Sequence, residues 1–154
     1  MRMSKKAEYA CRAMLELAAS YAAPQPVRVK AIAQAHSIPE RFLMQILLHL
    51  KTAGLVASVR GAAGGYQLAR APEAISLAAI LGAIEDRTPS PRPRPGPRRG
   101  KRVKPTEPDD SPAARTLSAI WKEIQAAEQR LLQNISLAEL LRRSQQGAEL
   151  SYQI

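Results

Sequence analysis

The sequence predicts a mainly α-helical fold carrying one small β-hairpin. Three observations carry that prediction. Apolar residues recur at three- and four-residue intervals through most of the chain, while aromatic residues make up only 4%, which suits an aliphatic core built between helices. Three glycines fall within residues 61–65, between two short segments of strand character, "LVASVR" at 55–60 and "YQLAR" at 66–70. Eight of the twelve prolines fall within 87–112, where the periodicity stops, and it resumes in one long stretch from Pro112.

The elements follow in order. Ser4 is a candidate N-cap for a first helix over Ser4–Ala23, with a stripe of Tyr9, Ala13, Leu17 and Tyr21 widened by Ala10, Met14 and Ala18. "APQP" at 23–26 ends it, because proline cannot continue a helix and restricts the residue before it. A short second helix at about 29–36 turns Val29, Ile32 and Ala33 inward. Ser37-Ile38-Pro39 makes the turn, with Pro39 at the first position of a third helix that runs to about Thr52. Phe42, Leu43, Ile46, Leu47 and Leu50 form its inner face. Glu40, Arg41, Met44, Gln45, His49 and Lys51 lie mostly on the other, and Leu48 fits neither cleanly. Gly54 is the expected stop.

The glycines of 61–65 supply the positive φ values that a hairpin tip needs. A fourth helix over about 76–86 takes Ser76 as N-cap and turns Leu77, Ile80, Leu81 and Ile84 inward. Residues 87–111 lack the apolar content to bury a core and are expected to be an extended or disordered linker. From Pro112 to Asn134 a long helix carries Leu117, Ile120, Ile124, Ala127 and Leu131, spaced like a coiled-coil seam and broadened by Trp121, Leu132 and Ile135. Ser136 and Glu139 form a capping box for a closing short helix, which presents Leu137, Leu140 and Leu141 on one face. Three regions result: a compact domain over 1–86, a linker over 87–111, and the long and closing helices over 112–146.

Charge narrows the class of partner. The chain of 154 residues has a net charge of +10, and residues 87–104 alone carry eight Lys and Arg with no acid. Such a balance points to nucleic acid or an anionic surface. The N-terminus lacks a signal-type apolar core, and no apolar run approaches about 18 residues, so a cytoplasmic location without membrane contact is expected. The lone cysteine, Cys11, allows neither an intrachain disulfide nor a cysteine-based metal site within one chain. His36 and His49 stand apart from any metal-spaced cluster, so no metal is expected. There is no nucleophile–base pair and no paired carboxylates in a cleft. The glycine loop leads into a strand rather than a helix and so is not a phosphate cradle. The chain is therefore not expected to be an enzyme, and no catalytic residue is assigned.

The order helix, helix, short turn, helix, β-hairpin is that of a winged helix-turn-helix, whose third helix enters the major groove of DNA and whose hairpin is the wing. A small glycine-rich tip lets backbone approach phosphates closely, and Arg60 at its base can reach a minor groove.

The segments "SKKAEYACRAMLELA", "IAQAHSIPERFLMQILLHLKTAGLVASVRGAAGGYQLAR" and "ISLAAILGAIE" together resemble the Rrf2 family of bacterial regulators. The stretch from Leu55 to Arg70 is the most specific part. "LSAIWKEIQ" and "LLQNISLAELL" resemble that family's dimerisation helix and closing helix, so the likeness covers nearly all of the chain except 87–112 and the tail. The resemblance implies a homodimer on double-stranded DNA, in many members a repressor.

By position, the resemblance places DNA contacts at Pro39, Glu40, Arg41 and Phe42, at Met44 and Gln45, and on the wing at Ser58, Arg60, Gly61 and Gly64. Arg28 and Lys30 complete the DNA-facing set. Leu117, Ile120, Trp121, Ile124 and Leu131 are the dimerisation residues. Two positions depart from the family pattern. Pro39 stands where many relatives have Ser, and Met44 stands where many have Glu and cannot accept a hydrogen bond from a cytosine amino group.

The larger departure is in the linker. Iron–sulfur members of the family hold three cysteines there, and this chain has none. Ser118 occupies a position that some members use as a histidine ligand, and Glu8 and Arg12 match first-helix positions near the cluster in relatives. No iron–sulfur cluster or other cofactor is therefore expected, and the signal would arrive through a metabolite, a protein effector or a thiol modification.

Three features admit two readings each. Cys11 is either an inert half-buried residue or a redox thiol activated by Lys5, Lys6 and Arg12. The basic run "RPRPGPRRGKRVK" is either a solvated spacer or an arm that neutralises phosphates. The whole winged domain is either a sequence-specific regulator or an interaction module that binds a protein partner, or DNA without specificity.

Overall fold

The computed structural model describes residues 3–85 and 110–152. Six α-helices and one two-stranded hairpin lie within them: α1 (Lys5–Ala19), α2 (Val29–His36), α3 (Glu40–Thr52), β1 (Val56–Val59), β2 (Gly65–Leu68), α4 (Leu77–Ile84), α5 (Pro112–Asn134) and α6 (Leu137–Tyr152), with a 3₁₀ turn at Pro72–Ala74. The fold is the mainly helical one expected, with the single hairpin in place. Apart from its last two residues, the basic linker expected at 87–111 lies outside the described residues. No described helix is long and apolar enough to cross a membrane.

Local chemistry sets most boundaries. Ser4 caps α1 by accepting from the Ala7 amide at 3.1 Å, and Ser76 caps α4 by accepting from the Ala79 amide at 3.1 Å. α1 ends at Ala19, earlier than the apolar spacing suggests, so Tyr21 falls beyond it and is exposed. α3 closes as expected at Gly54, which holds φ +75°. The Leu55 amide reaches back to the Leu50 carbonyl and the Gly54 amide to the Lys51 carbonyl, the paired bonds of a Schellman motif.

The hairpin pairs Val56 with Leu68 and Val59 with Gly65. Of its three tip glycines only Gly61 takes a positive φ, which corrects the expectation that all three serve conformation. Gly64 and Gly65 are needed for space. A Cβ at Gly64 would press into the Val59 carbonyl, and one at Gly65 into the carbonyl of Val27.

The core is aliphatic, as the composition demands. Met14, Leu17, Ile32, Leu43, Ile46, Leu47, Leu50, Ile75, Ile80 and Leu137 are its fully buried large side chains. Among the described residues, contacts group those from Leu131 onward with those up to Glu85, and residues 110–130 form a second unit. Within the first unit, the Leu137 amide bonds the Ile75 carbonyl at 2.7 Å and the Leu77 amide bonds the Ile135 carbonyl at 2.8 Å. This stitch seats Leu137 in the core, and α6 packs on α1 and the 3₁₀ turn.

α6 is longer than the short closing helix expected, continuing through Gly147 to Tyr152. Its capping box is half made. Ser136 accepts from the Glu139 amide, but the Glu139 carboxylate turns to Arg142 and Arg143. α5 is a run of 23 residues with none buried.

Candidate nucleic-acid interface

The α2–α3 pair is joined by three residues, each with a distinct task. Ser37 takes the left-handed conformation at φ 54°, with its amide on the Ala33 carbonyl, which reverses the chain after α2. Ile38 is buried and anchors the turn in the core. Pro39 has an extended ψ of 127°, so it is the N-cap rather than the first helical residue, and its carbonyl accepts the Leu43 amide. α3 therefore starts one residue later than the proline rule suggests.

α3 is two-faced. Leu43, Ile46, Leu47 and Leu50 are buried, whereas Glu40, Arg41, Met44, Gln45, Leu48, Lys51 and Thr52 are exposed. Phe42 does not join the exposed set. It is half-buried and meets the Tyr9 ring of α1 edge-on, with centroids 5.8 Å apart. Its aromatic ring thus orients α3 on α1 rather than standing free beside the other expected DNA contacts. Leu48, unplaced by the sequence pattern, is 57% exposed on the outer face.

The wing is bound to α2 and α3 by contacts that the sequence does not announce. Val27 adds a third strand-like residue to β2: its amide donates to the Tyr66 carbonyl and the Tyr66 amide returns to the Val27 carbonyl, both at 2.8 Å. This pairing explains why Gly65 admits no side chain. Next to it, the Arg28 guanidinium donates to the Ala62 carbonyl at the wing tip at 2.7 Å. From the other side Lys51 donates to the Ser58 hydroxyl at 2.7 Å. Ser58 keeps its own O–H available, so it can still donate to an acceptor such as a phosphate oxygen.

Arg28, Lys30, Arg41, Lys51, Arg60 and Arg70 are all exposed, as are Ser58 and Gly61, while Gly64 is half-buried. Lys51 is the residue that sequence reasoning missed. Its spacing relative to Arg41, Met44 and Gln45 was visible, but its bond to the wing was not.

The remaining candidates lie apart from this face. Cys11 is half-buried among core residues of α1, and burial pushes its thiol up to about 11, which disfavours the thiolate. Glu8 is engaged by both Lys5 and Arg12. His36 meets Glu16 at 3.0 Å, tying α2 to α1. Among the described residues no three His, Cys, Asp or Glu side chains are grouped to hold a metal ion. With Cys11 as the one cysteine of the chain, the donor set does not fit an iron–sulfur cluster held by a single chain's thiolates.

A helix-turn-helix with a braced wing is the geometry of a DNA reader, and comparison with known proteins agrees. The Rrf2 family, described as an iron-dependent transcriptional regulator, matches residues 3–143. The HTH-type transcriptional regulator CymR of Bacillus subtilis is 34% identical over 142 residues, covering 91% of this chain and 89% of the relative. The HTH-type transcriptional regulator IscR of Erwinia tasmaniensis is 31% identical over 143 residues, covering 92% and 79%. Among solved structures, B. subtilis CymR, the global cysteine regulator, superposes with a TM-score of 0.70 at 33% identity, covering 93% of this chain and 98% of that one. T. potens IscR gives 0.69 at 29% identity, covering 94% and 88%. The chain belongs to the Rrf2 family and is an HTH-type transcriptional regulator.

Proposed function

We propose that this regulator is a sequence-specific repressor that binds double-stranded DNA as a homodimer, with α3 in the major groove and the wing on the flanking backbone and minor groove. The observation that carries this reading is the double brace on the wing, Arg28 to Ala62 from one side and Lys51 to Ser58 from the other. Helix and wing then meet DNA as one preorganised surface, and less ordering entropy is lost on binding.

Roles follow from donor and acceptor chemistry. Arg41 suits guanine and Gln45 suits adenine in the major groove, while Glu40 can accept from a cytosine amino group. Lys30 and Ser58 suit phosphates, and Pro39 sets the angle at which α3 begins. Arg60 suits the minor groove, and Gly61 and Gly64 let the wing backbone come close.

Dimerisation is supported by α5. Leu117 is 68% exposed, Trp121 62% and Leu131 65%, with Ile120 and Ile124 about half exposed on the same helix. A single stripe of that many large apolar side chains is the signature of an interface. Two copies would then present two recognition helices to half-sites about one helical turn, roughly 34 Å, apart. Repression follows from operator occupancy, and the signal reaches the protein without a cluster.

Selection of bound duplexes from random DNA by the full-length protein, with and without oxidant, tests the proposal. A pseudo-palindromic consensus, with affinity that falls steeply as salt rises, is the expected result. Recovery without any consensus would overturn it in favour of an interaction module.

A further inference from the structure

Two apolar side chains stand on the outer face of α3, among polar and charged neighbours. Met44 is 53% exposed and Leu48 57%. The core face of the helix is Leu43, Ile46, Leu47 and Leu50, and at about 100° per residue Leu48 stands nearly opposite it. Met44, Leu48 and Lys51 follow one another at intervals of four and three, so they share one edge of the helix. That edge faces the wing, because Lys51 is bonded to Ser58 of β1. Arg41 and Gln45 lie beside the pair on the outward face, and Arg41, three residues before Met44, and Lys51, three after Leu48, frame it with positive charge. The pair is therefore an apolar strip set inside a cationic frame.

Only one occupant suits both parts. The frame matches phosphates, and the one apolar group that B-DNA presents in the major groove is the C5 methyl of thymine. We propose that Met44 and Leu48 are specificity-determining residues that read thymine methyl groups in each half-site. The assignment rests on α3 being the major-groove reader. Neither side chain can hydrogen-bond to a base edge through a strong donor or acceptor, so their discrimination is by methyl burial alone. It complements Arg41 and Gln45, whose hydrogen bonds distinguish purines. The strip also accounts for Leu48, which serves no core contact on the side opposite the buried face.

The test uses the duplex that the full-length protein selects from random DNA. Each thymine is replaced singly by deoxyuridine, which deletes the methyl group and leaves every hydrogen-bonding edge intact. At one or two positions per half-site the dissociation constant should rise about fourfold, the equivalent of one methyl group left unburied. In Leu48→Ala and Met44→Ala the thymine and deoxyuridine duplexes should bind alike at the corresponding position. Both sites are exposed, and alanine favours a helix, so the variants keep their fold. Three results would overturn the assignment. The first is selective binding with no thymine–deoxyuridine difference. The second is a difference that persists undiminished in both variants. The third is a selected consensus without thymine in the half-site. Absence of selective binding altogether would instead defeat the DNA-reading proposal itself, and this assignment with it.

Discussion

Arg28 and Ala62 lie 34 residues apart in the chain, yet the Arg28 guanidinium donates to the Ala62 carbonyl at 2.7 Å. One side chain at the entry to α2 thus holds the far end of the wing. Arg28→Ala should weaken DNA binding about three- to tenfold, because an exposed charge-assisted bond is worth about 1 kcal/mol and 1.4 kcal/mol is a factor of ten. The melting temperature should hardly move, since the bond lies at the surface. Fluorescence anisotropy beside thermal melting separates the two effects. An equal loss in Arg28→Lys would show that the planar fork, rather than charge, matters.

Gly65 and Gly82 make a matched pair for stability. A methyl group at Gly65 would stand 2.6 Å from the Val27 carbonyl carbon and break the Val27–Tyr66 pairing. Gly65→Ala should cost about 1–3 kcal/mol through overpacking. Gly82, inside α4, has open space around its would-be Cβ. Gly82→Ala should stabilise by about 0.5–1 kcal/mol, since the unfolded chain loses freedom and the helix gains a better former. Urea denaturation of the two variants should move in opposite directions.

The α5 seam predicts an oligomeric switch. Ile124→Asp should leave a monomer at micromolar concentration, because a charge placed in an apolar interface cannot be desolvated cheaply. Light scattering reads the mass. Circular dichroism of the variant should keep the helical signal of the first unit, and operator affinity should fall sharply as the second half-site contact is lost.

Glu139 carries a pH dependence of definite sign. Its hydrogen bond from Arg142, then that from Arg143, lowers its carboxyl from the ordinary 4.5 to about 2. A depressed folded-state value means the contribution is present above pH 4.5 and is lost as pH falls towards 2. Glu139→Gln should therefore lack the part of the acid limb that wild type shows in that interval. Carboxyl NMR titration locates the midpoint, and a midpoint near 4.5 in the folded protein would contradict the contact.

Cys11 should be a slow thiol. With its value raised to about 11, its thiolate fraction at neutral pH is on the order of a hundredfold below that of a free cysteine. Maleimide labelling of the folded protein should be correspondingly slow and should accelerate in denaturant. Rapid labelling at neutral pH, with loss of DNA binding that Cys11→Ser prevents, would restore a redox role.

Much of this was legible from residues alone. Ser4 and Ser76 are read as caps because a hydroxyl at a helix start has one obvious use, and the structure places both as expected. The inner face of α3, the Gly54 stop and the span of α5 follow from periodicity and backbone permissiveness, both local properties. Errors began where a local rule met a distant partner. Tyr21 fits the spacing of α1, but the helix ends at Ala19. Phe42 lies on the inner face of α3 as its spacing predicts, but its partner, the Tyr9 ring of α1, was not legible from the sequence.

Patterned aliphatic residues therefore determined by themselves that the chain builds helices around an aliphatic core, with a hairpin after the third, since burial of apolar surface depends on spacing along the chain. Only the tertiary structure decided that Val27 joins the wing, that Arg28 clamps its tip, that Glu139 serves two arginines instead of its own cap, and that Leu48 faces outward beside Met44. Each of these depends on which groups meet across long stretches of chain. Hydrogen bonds and close packing act over a few ångströms, and sequence separation says little about who comes within that reach.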